Sequence, residues 1–473
     1  MVMGSIRQET EVAVIGAGPG GYVAALRLAD LGKEVLLIEE RDQPGGTCLL
    51  EGCIPSKALI TAVEVAETAK SAAKMGLSFG ESSFDPGVLR EWKGSVVDKL
   101  SAGVEGLLKR RGIEVVRGRA RFENNRSLHV EGGSASGVDF RQAIIATGSS
   151  VIELPAAKDV PVWTSTEALQ VPSIPERLLV VGGGYIGLEL GLVYAGLGSE
   201  VSVVEFLPRL LMGADPDLVR VMMKHAENRL SMVMASSKVV GVKYGETGFT
   251  VDIENEGKTV SQQYDQVLVS VGRRPNTGDI GLEKTAIELD ERGTIRTNDE
   301  CRTTEDNIFA IGDVTPGPML AHKASREGKV AAEVISDHKS AFDNRAIPAV
   351  VFTDPEIAWS GITETEAKDQ GIAVKVGKFP LSALGRAWTL DRTDGLVKVI
   401  SEPGTGLVLG VGMVGPHASE LIAEGTLALE MGATLEDLMV TIHPHPTLSE
   451  ALIEAAEVAA GAPTHVHPAR TTD

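Results

Sequence analysis

Cys48 and Cys53 are the cysteines whose type and spacing could support chemistry. They lie five positions apart in the stretch GGTCLLEGCIPSK, from Gly45 to Lys57. Residues five apart in a regular α-helix rise about 7.5 Å along its axis, which exceeds the usual Cα separation of a disulfide. A disulfide between them would therefore need a bend or a partly helical segment, and Gly52 permits one.

The sequence after the second cysteine predicts a helix, PSKALITAVEVAETAK, which starts at Pro55. Cys53 should therefore lie near a helix N-terminus, where the helix dipole lowers the pKa of a thiol and favours the reactive thiolate. Two other interpretations stay open on spacing alone. The cysteines could be buried and unreactive, or they could be zinc ligands, although the second ligand pair that zinc requires is not evident.

Two segments of the chain, Glu11 to Glu40 and Arg177 to Phe206, align without a gap at an offset of 166 residues. Each reads as an apolar strand, a G-x-G-x-x-G turn, an amphipathic helix ending at Leu-Gly and a second apolar strand ending in Glu. This pattern is the βαβ fingerprint of a dinucleotide site. The aligned positions are Gly16, Gly18, Gly21, Gly32, Val35 and Glu39 in the first copy and Gly182, Gly184, Gly187, Gly198, Val201 and Glu205 in the second.

Each feature of this fingerprint has a physical reason. The first glycine makes the tight turn, the second lets the backbone approach the pyrophosphate, and the third lets the helix pack on the strand. The helix N-terminus offers N–H groups to the phosphates, and Glu39 or Glu205 can accept hydrogen bonds from the ribose. One copy alone could be an ordinary glycine-rich turn. Two copies predict two dinucleotides that exchange electrons, and the cysteine pair directly after the first copy then favours redox chemistry.

Composition excludes several classes of function. A chain of 473 residues suggests about three domains, and the net charge of −20 opposes nucleic acid and anionic membranes as partners. Three cysteines do not make a secreted disulfide scaffold, and the opening MVMGSIRQET lacks an apolar signal segment, so we expect a cytoplasmic protein. The apolar stretch from Leu178 to Gly198 is interrupted by three glycines, so we interpret it as strand, turn and helix rather than a membrane span.

The cysteine motif GGTCLLEGCIPSK resembles the redox-active disulfide motif of the flavin-dependent pyridine nucleotide–disulfide oxidoreductases. Its continuation CIPSKAL is most similar to the dihydrolipoamide dehydrogenase branch of that family. The resemblance covers essentially the whole chain. Further motifs that carry it are AIIATGS (Ala143 to Ser149), VGRRPN (Val271 to Asn276), IFAIGDV (Ile308 to Val314), MLAHKA (Met319 to Ala324), FTDPEIAWSG (Phe352 to Gly361) and HPHPTLSE (His443 to Glu450).

The resemblance implies an α/β fold with two Rossmann-like dinucleotide-binding domains and a C-terminal α+β dimerisation domain. It predicts an FAD-binding domain at residues 1–150 and an NAD-binding domain at 151–275. A central segment at 276–345 would complete the FAD domain, and residues 346–473 would form the interface of a homodimer.

The resemblance also implies the residues that contact each cofactor. Lys57 would lie near the flavin and pair with Glu189. Without the surrounding motifs, Asp313 could be a helix N-cap, Lys57 a solvated charge and Glu189 a polar surface residue. The implied FAD contacts are Gly16, Gly18, Gly21, Glu39, Thr47, Lys57, Asp313 and Ala321, and the implied NAD site contains Gly182, Gly184, Gly187, Glu189, Glu205 and Gly272.

NAD is favoured over NADP by residues at the end of the second copy and shortly after it. Members of the family that prefer NADP place arginines where this chain has Phe206 and Met212, and they lack the acid at Glu205. A carboxylate at Glu205 would repel a 2′-phosphate. Arg209 is nearby but lies off those two positions, and we predict it to be a surface residue.

The segment HPHPTLSE supplies the remaining predicted catalytic residues. By resemblance, His445 is the acid–base catalyst and Glu450 its orienting carboxylate. The residues alone also allow a simpler interpretation, because Thr447 and Glu450 match a capping box that would close the start of a helix. His465 and His467 have no comparable context and are predicted to belong to a tail.

The implied reaction is oxidation of dihydrolipoyl groups to lipoyl disulfide with reduction of NAD⁺ to NADH, through a Cys48–Cys53 disulfide and FAD. The lipoyl carrier would belong to a 2-oxo acid dehydrogenase complex or the glycine cleavage system. The alternatives are a flavin disulfide reductase with another substrate and a non-catalytic dinucleotide-binding scaffold. No metal, nucleic acid or membrane is predicted. The chain departs from the family pattern at Leu50 and Glu51, which replace Asn-Val, at Pro444, which replaces Ala, and at Tyr185, which replaces Ile or Val.

Overall fold

The computed structural model describes residues 7–80, 83–133 and 135–467 of the chain. The chain divides into two compact units, which are described separately. The first unit comprises Met1–Glu153, Thr164–Ser173 and Val271–Asp343, and the second comprises Leu154–Trp163, Ile174–Ser270 and Asn344–Asp473.

The helices of the described ranges are mostly short, and short 3₁₀ turns occur among them. The α-helices are α1 Pro19–Asp30, α2 Gly46–Glu51, α3 Cys53–Ser71, α4 Pro86–Arg110, α5 Ser165–Leu169, α6 Tyr185–Leu197, α7 Pro216–Ala226, α8 Ala321–Ile335, α9 Glu364–Asp369, α10 Gly385–Thr389, α11 Ala418–Met431, α12 Leu435–Val440 and α13 Glu450–Ala460. The 3₁₀ turns are Ala72–Met75, Pro155–Ala157, Leu282–Lys284, Gly312–Val314 and Leu381–Ala383.

The strands form both parallel and antiparallel sheets. They are β1 Arg7–Ile15, β2 Val35–Glu39, β3 Glu114–Arg117, β4 Arg119–Asn124, β5 Ser127–Glu131, β6 Gly137–Ile145, β7 Ser149–Val151, β8 Arg177–Val181, β9 Glu200–Val204, β10 Met232–Met234, β11 Ser237–Gly245, β12 Gly248–Asn255, β13 Lys258–Tyr264, β14 Gln266–Val269, β15 Arg273–Pro275, β16 Ile308–Ala310, β17 Ala349–Val351, β18 Glu356–Gly361, β19 Lys375–Pro380, β20 Leu396–Ser401 and β21 Val408–Gly415.

The first unit is built on a sheet in the order β3-β2-β1-β6-β5-β4, with β16 also paired to β6. Strands β1, β2, β3, β6 and β16 pair in parallel, whereas β4, β5 and β6 pair antiparallel. Alternate residues of β1 enter different cores: Val12 and Val14 pack with α1 and α8, and Ala13 and Ile15 pack with the β4–β5 hairpin. An apolar run without alternation is expected for a strand that is covered on both faces.

The second unit contains the parallel sheet β10-β9-β8-β14 and an antiparallel sheet β11-β12-β13. Leu179 and Val181 of β8 share a core with Phe249 and Val251 of β12. The strand–turn–helix–strand from β8 through α6 to β9 repeats the arrangement from β1 through α1 to β2. In each case the first strand pairs with the last in parallel.

The C-terminal part of the second unit is a five-stranded antiparallel sheet in the order β17-β18-β21-β20-β19. Helices α11, α12 and α13 pack on it through a core that includes Phe379, Val399, Ile422 and Leu452. The architecture is therefore α+β in this part of the chain.

The predicted fold class is confirmed by these sheets, while the four predicted domain ranges stay predictions. The apolar stretch from Leu178 to Gly198 divides into β8 and α6, as the glycines at its centre indicate. No helix in the described ranges combines the length and apolar character needed to cross a membrane.

Candidate active site

The first glycine-rich turn joins β1 to α1 and leaves no space for a side chain at Gly16 or Gly21. Gly16 has φ +102°, and a Cβ there would lie 2.3 Å from the carbonyl oxygen of Ala146. A Cβ on Gly21 would lie 1.8 Å from the carbonyl oxygen of Gly16. Gly18 caps α1 without a side chain, so the N–H groups of the first helical turn can bind a phosphate. We call Gly16–Gly21 together with Glu39 the first cradle.

Glu39 ends β2 and is only 7% exposed. Its Oε2 accepts a hydrogen bond from Ala17 N at 2.6 Å, and its Oε1 accepts one from Arg41 N at 3.0 Å. A carboxylate has about four acceptor sites, so both oxygens can accept a further bond from a ribose hydroxyl. The position of Glu39 is compatible with the predicted contact to a ribose.

Helix α2 lies directly against the first cradle. Gly46 has φ +61°, and a Cβ there would lie 2.5 Å from Cα of Gly18. Thr47 and Cys48 follow on the same helix. The close contact at Gly46 therefore brings Thr47, a predicted FAD contact, beside the phosphate-binding turn.

Asp313 lies on the 3₁₀ turn Gly312–Val314 of the first unit. Its Oδ2 accepts a hydrogen bond from Ser149 Oγ at 2.5 Å, and Ser149 Oγ accepts one from Arg273 Nε at 2.8 Å. The alternative of an N-cap is wrong, because Ile311 holds the cap position of that turn. Ser149 and Arg273 are absent from the predicted site, although both lie in motifs that carry the family resemblance.

A buried ion pair supports the turn that carries Asp313. Lys323 Nζ lies 3.0 Å from Glu327 Oε1, and the two side chains are 2% and 6% exposed. Lys323 Nζ also donates to the carbonyl of Gly312 at 3.0 Å and to Thr315 Oγ1 at 2.7 Å, and Gly312 N donates to Glu327 Oε2 at 2.7 Å. Burial raises the pKa of Glu327. Neither member of the pair is a predicted site residue.

Lys57 and Ala321, two further predicted FAD contacts, also lie in the first unit. Lys57 is half-buried on α3, so it is not a fully solvated charge, and Ala321 is the first residue of α8. Glu189, the predicted partner of Lys57, belongs to the second unit. The pairing of Lys57 with Glu189 stays a prediction.

The cysteine pair sits at the break between α2 and α3. Cys48 belongs to α2 and Cys53 begins α3, two residues before the predicted start, with Gly52 between the helices. A Cβ on Gly52 would lie 2.9 Å from the carbonyl oxygen of Thr47. A hydrogen bond with the Cys53 side chain raises the pKa of Cys48, burial raises it further, and the charge of Lys57 opposes the shift.

Neither cysteine belongs to a cluster with metal-ligand geometry in the described ranges. The one cluster of that kind there is Asp215, Asp217 and Glu364. Lys398, whose side chain is 1% exposed, contacts these acids at 2.5, 2.8 and 2.7 Å, respectively. Its ammonium group therefore already supplies the positive charge at this cluster.

The second glycine-rich turn joins β8 to α6. A Cβ on Gly182, where φ is +110°, would lie 2.4 Å from the carbonyl oxygen of Ser270. A Cβ on Gly187 would lie 2.1 Å from the carbonyl oxygen of Gly182, whereas a Cβ on Gly184 would meet no atom within 4 Å. We call Gly182–Gly187 together with Glu205 the second cradle.

Glu205 repeats the hydrogen bonds of the first cradle's acid. Its Oε2 accepts from Gly183 N at 2.6 Å and its Oε1 accepts from Leu207 N at 2.7 Å. Phe206 and Met212 follow in the next loop and are 68% and 44% exposed. They present apolar surface where NADP-preferring members of the family present arginines.

Arg209 is not the ordinary surface residue that we predicted. Its Nη1 donates to the carbonyls of Leu211 and Ala214 at 3.1 and 2.8 Å, and its Nη2 donates to the carbonyl of Met212 at 2.9 Å. A guanidinium group carries several donors, and an irregular loop has carbonyls that need partners. Arg209 therefore holds the loop after β9 in shape.

The remaining predicted residues of the NAD site have different surroundings. Glu189 is 4% exposed, and its Oε1 accepts a hydrogen bond from Phe352 N at 3.0 Å, so it is not a polar surface residue. Tyr185 begins α6 and is 40% exposed. Gly272, where φ is +128°, belongs to the first unit and accepts a hydrogen bond from Ile152 N at 3.0 Å.

His445 and Glu450 form the predicted pair in the second unit. His445 Nδ1 lies 2.8 Å from Glu450 Oε1, and the histidine side chain is 79% exposed. Glu450 Oε2 accepts from Thr447 N at 2.7 Å. The alternative of a capping box is wrong, because α13 begins at Glu450 with Ser449 as its N-cap, and Thr447 Oγ1 donates to the carbonyl of Pro444. Partial burial would raise the pKa of Glu450, but the hydrogen bonds from Thr447 and His445 outweigh it and lower that pKa.

His443 makes a second histidine–carboxylate pair. Its Nε2 lies 2.6 Å from Glu424 Oε1, and its side chain is only 5% exposed. Its Nδ1 lies 3.0 Å from the carbonyl oxygen of Thr441. This pair holds the HPHP segment on helix α11 and was not predicted.

His465 lies beyond the last helix, as predicted for a tail, but its side chain contacts that helix. His465 Nδ1 lies 2.6 Å from Glu454 Oε1, and this contact raises the pKa of His465. Val466 packs against the core of the C-terminal sheet. Glu454 is a buried carboxylate on α13, and a buried charge is costly without a partner. His467 is exposed.

Family models match most of the chain. Residues 10–328 match the family described as pyridine nucleotide-disulphide oxidoreductase. Residues 347–456 match the dimerisation domain of the same family.

Curated relatives extend over nearly the whole length. The chain is 48% identical to dihydrolipoyl dehydrogenase of Geobacillus stearothermophilus over 98% of its length and 99% of the relative. It is 46% identical to dihydrolipoyl dehydrogenase of Bacillus subtilis over 98% of its length and 100% of the relative.

Among solved structures, the chain resembles the HOCl-induced flavoprotein disulfide reductase RclA from Escherichia coli. The TM-score is 0.84 and the sequence identity is 27%, with 95% of this chain and 99% of that chain covered. The glycine-rich turns, the cysteine pair and the ranges that the family models match all indicate one family. The chain therefore belongs to the pyridine nucleotide-disulphide oxidoreductase family.

Proposed function

We propose that this protein is an NAD⁺-dependent dihydrolipoyl dehydrogenase, a flavoprotein that oxidises dihydrolipoyl groups to lipoyl disulfide. The observation that carries the proposal is the 48% identity to the Geobacillus stearothermophilus enzyme along 98% of the chain. The cysteine motif favours the same branch of the family.

The first cradle fits FAD. The spaces that a Cβ on Gly16 or Gly21 would fill are taken by backbone, as a turn that approaches a pyrophosphate requires. When bound, the flavin supplies the two-electron chemistry that connects a dithiol to a nicotinamide. The residues that would hold it are Gly16, Gly18, Gly21, Glu39, Thr47, Lys57, Asp313 and Ala321.

The second cradle fits NAD⁺ for the same reason. Glu205 offers carboxylate oxygens to the adenosine ribose, whereas the apolar Phe206 and Met212 offer no donor to a 2′-phosphate. We therefore propose NAD⁺ rather than NADP⁺ as the acceptor. The residues of this site would be Gly182, Gly184, Gly187, Glu189, Glu205 and Gly272.

The cysteine pair would carry out thiol–disulfide exchange. In the oxidised enzyme, a dihydrolipoyl thiolate attacks Cys48, a bond forms between the two sulfurs, and Cys53 leaves as a thiolate. The second substrate sulfur then displaces Cys48 and closes the lipoyl disulfide. The substrate has lost two electrons and two protons, and the cysteine pair has gained the two electrons. The start of α3 favours the thiolate at Cys53.

His445 would accept the proton that each attacking thiol must lose. Because its Nδ1 faces the carboxylate of Glu450, we assign the ring proton to Nδ1, which leaves Nε2 as the proton acceptor. Glu450 orients the ring, and its second oxygen is fixed by Thr447.

We propose that the active site is shared between the two subunits of a homodimer, in keeping with the dimerisation domain that matches residues 347–456. His445 of one subunit would serve the cysteine pair of the other. Refolding a mixture of Cys48→Ser and His445→Ala chains should restore roughly a quarter of wild-type activity, because half of the dimers are mixed and each contains one intact site. Heterodimers no more active than the parents would place His445 with its own chain's cysteines or outside the chemistry.

The direct test of the function is NADH formation from NAD⁺ and free dihydrolipoamide. A protein that binds FAD but does not respond to the dithiol would support a non-catalytic scaffold instead. Because the chain also resembles RclA, we retain a second candidate function, that of a flavin disulfide reductase acting on another substrate. NADH-dependent reduction of other disulfides without lipoamide turnover would favour that candidate.

The natural substrate would be the lipoyl domain of a 2-oxo acid dehydrogenase complex or of the glycine cleavage system. Kinetics with each purified lipoyl carrier would separate these partners. We propose a cytoplasmic location, because thiol–disulfide exchange with a dithiol substrate suits a reducing compartment.

A further inference from the structure

Glu51 is a carboxylate on helix α2, between the two cysteines in the chain. It stands where family members commonly have Val, and it lies three residues after Cys48 on helix α2. Side chains three apart on a helix are neighbours, with Cβ atoms about 5–6 Å apart. A lone carboxylate there would repel a thiolate and disfavour the reduced pair.

Arg41 is placed to offset that charge. Its Nη2 lies 3.0 Å from Glu51 Oε2, and the two side chains are 32% and 34% exposed. The same nitrogen lies 3.4 Å from Oγ1 of Thr47, the residue before Cys48. An ion pair at this depth is less screened by solvent than one at an open surface.

The position of Arg41 is fixed by the loop after β2. Its N–H donates to Glu39 Oε1 at 3.0 Å, and its carbonyl accepts from Arg117 Nη1 at 2.5 Å. Further along the loop, Ser101 Oγ donates to the carbonyl of Pro44 at 2.7 Å. In the described part of the chain, Nη1 of Arg41 is buried and has no hydrogen-bond partner. The guanidinium is thus directed inward, between the loop and α2.

We propose that Arg41 is a positioning residue for the cysteine pair, whose guanidinium balances the charge of Glu51 and ties helix α2 to the loop after β2. The thiolate chemistry of Cys48 and Cys53 then proceeds beside a neutral ion pair rather than a lone carboxylate. This inference rests on the proposed dithiol function and adds two residues that the family motif does not contain.

The test measures thiolate reactivity rather than turnover. Flavin-loaded protein is reduced with dithiothreitol, desalted without oxygen and labelled with iodoacetamide, whose iodide the thiolate sulfur displaces. The variants are Arg41→Gln, Glu51→Gln and the double variant. All carry Cys301→Ser, which removes a buried thiol whose pKa burial raises to about 12.

At pH 7, Arg41→Gln should slow labelling by about threefold or more, because the Glu51 carboxylate is left unbalanced. Glu51→Gln should label at least as fast as the parent, and the double variant should return to within about twofold of it. The matched control is Arg27→Gln, which breaks the pair between Arg27 Nη2 and Glu333 Oε1 at 2.7 Å on α1 and α8. It should leave the rate unchanged.

Equal labelling of Arg41→Gln and its parent would overturn the proposal. A double variant as slow as Arg41→Gln would also overturn it, because loss of structure rather than charge would then explain the effect. The flavin-to-protein ratio is recorded for every variant to detect such a loss. Absence of lipoamide turnover alongside the expected labelling pattern would refute the proposed function and leave the role of Arg41 standing.

Discussion

The two cradles share a sequence motif and a set of backbone hydrogen bonds, but they differ in what covers them. In the first, helix α2 contacts the turn: a Cβ on Gly18 would lie 3.9 Å from Cα of Gly46, and a Cβ on Gly46 would lie 2.5 Å from Cα of Gly18. In the second, a Cβ on Gly184 would meet no atom within 4 Å. One phosphate-binding turn is covered by the chain that follows it, and the equivalent glycine of the other is open.

This difference suits two cofactors with different residence times. A covered site retains its ligand, as the resident flavin of the proposed reaction requires, whereas an open site suits a nucleotide that exchanges at every turnover.

The largest expected effect tests whether Cys48 on helix α2 is needed for turnover but not for flavin binding. Cys48→Ser should lower lipoamide turnover by about a thousandfold or more, because the attacked sulfur is gone, while the flavin-to-protein ratio stays at the wild-type value. Cys301→Ser is the control and should keep turnover within about twofold, since that buried cysteine lies outside the pair. Loss of flavin from Cys48→Ser would show that the thiol is part of the cradle itself.

Two alanine substitutions test the contact of α2 with the first cradle and the open position of Gly184 in the second. Gly46→Ala should lower the free energy of unfolding by about 2 kcal/mol or more and reduce flavin retention, because of its positive φ and its contact with Gly18. Gly184→Ala should change stability by no more than about 0.5 kcal/mol, yet raise the KM for NAD⁺ by about tenfold, since the backbone must approach a pyrophosphate there. Denaturant unfolding, flavin absorbance and steady-state kinetics give these values. Equal stability losses would contradict the comparison.

Nucleotide preference tests the acid of the second cradle. The triple variant Glu205→Ala, Phe206→Arg, Met212→Arg should shift the ratio of kcat/KM for NADP⁺ over NAD⁺ by about tenfold or more. It loses a ribose acceptor and gains two bidentate phosphate donors. Flavin content should not change, because the substitutions lie in the second unit. An unaltered preference would mean that Glu205 does not discriminate between the two nucleotides.

The smallest expected effect concerns Asp217, a carboxylate that contacts a buried lysine of the second unit. The buried lysine of the first unit serves as the comparison. Lys323 pairs with Glu327, whose pKa burial raises, whereas Lys398 contacts Asp217. Burial opposes ionisation of Asp217, but hydrogen bonds from Lys378 and Lys398 lower its pKa from 3.8 to about 2. A carboxyl group whose folded pKa is lowered stabilises the fold above its unfolded pKa and loses that contribution as the pH falls through the folded value.

Asp217→Asn should therefore cost about 1 kcal/mol of unfolding free energy at pH 7, after allowance for partial exposure, and this difference should shrink between about pH 4 and pH 2. Urea unfolding of both proteins at pH 7 and pH 3 measures it. A difference that is independent of pH would mean that the ion pair is not its source.

Several features could be predicted from the sequence because they depend on local geometry. A glycine-rich turn needs residues without side chains at fixed spacing, and an acid at the end of the next strand follows from the length of the βαβ unit. The position of Cys53 at a helix start follows from the helical sequence after it. The pairing of His445 with Glu450 was predicted from the family resemblance, and the residues alone predicted a capping box instead.

Other features depend on partners that are far apart in the chain. Ser149 meets Asp313 across 164 residues, and Glu189 becomes buried because the backbone of Phe352 returns to it across 163. His465 is anchored because α13 presents the buried carboxylate of Glu454. Spacing in the sequence carries no information on such contacts, so they could not be predicted.

Glu51 illustrates the difference between what the sequence determines and what the tertiary structure determines. The sequence by itself determined that a carboxylate follows Cys48 by three residues, and a carboxylate beside a thiolate predicts a penalty on the reduced pair. Only the tertiary structure decided that Arg41 lies 3.0 Å from that carboxylate. The physical reason is that charge effects depend on distances through space, which are set by how the loop after β2 folds back on α2.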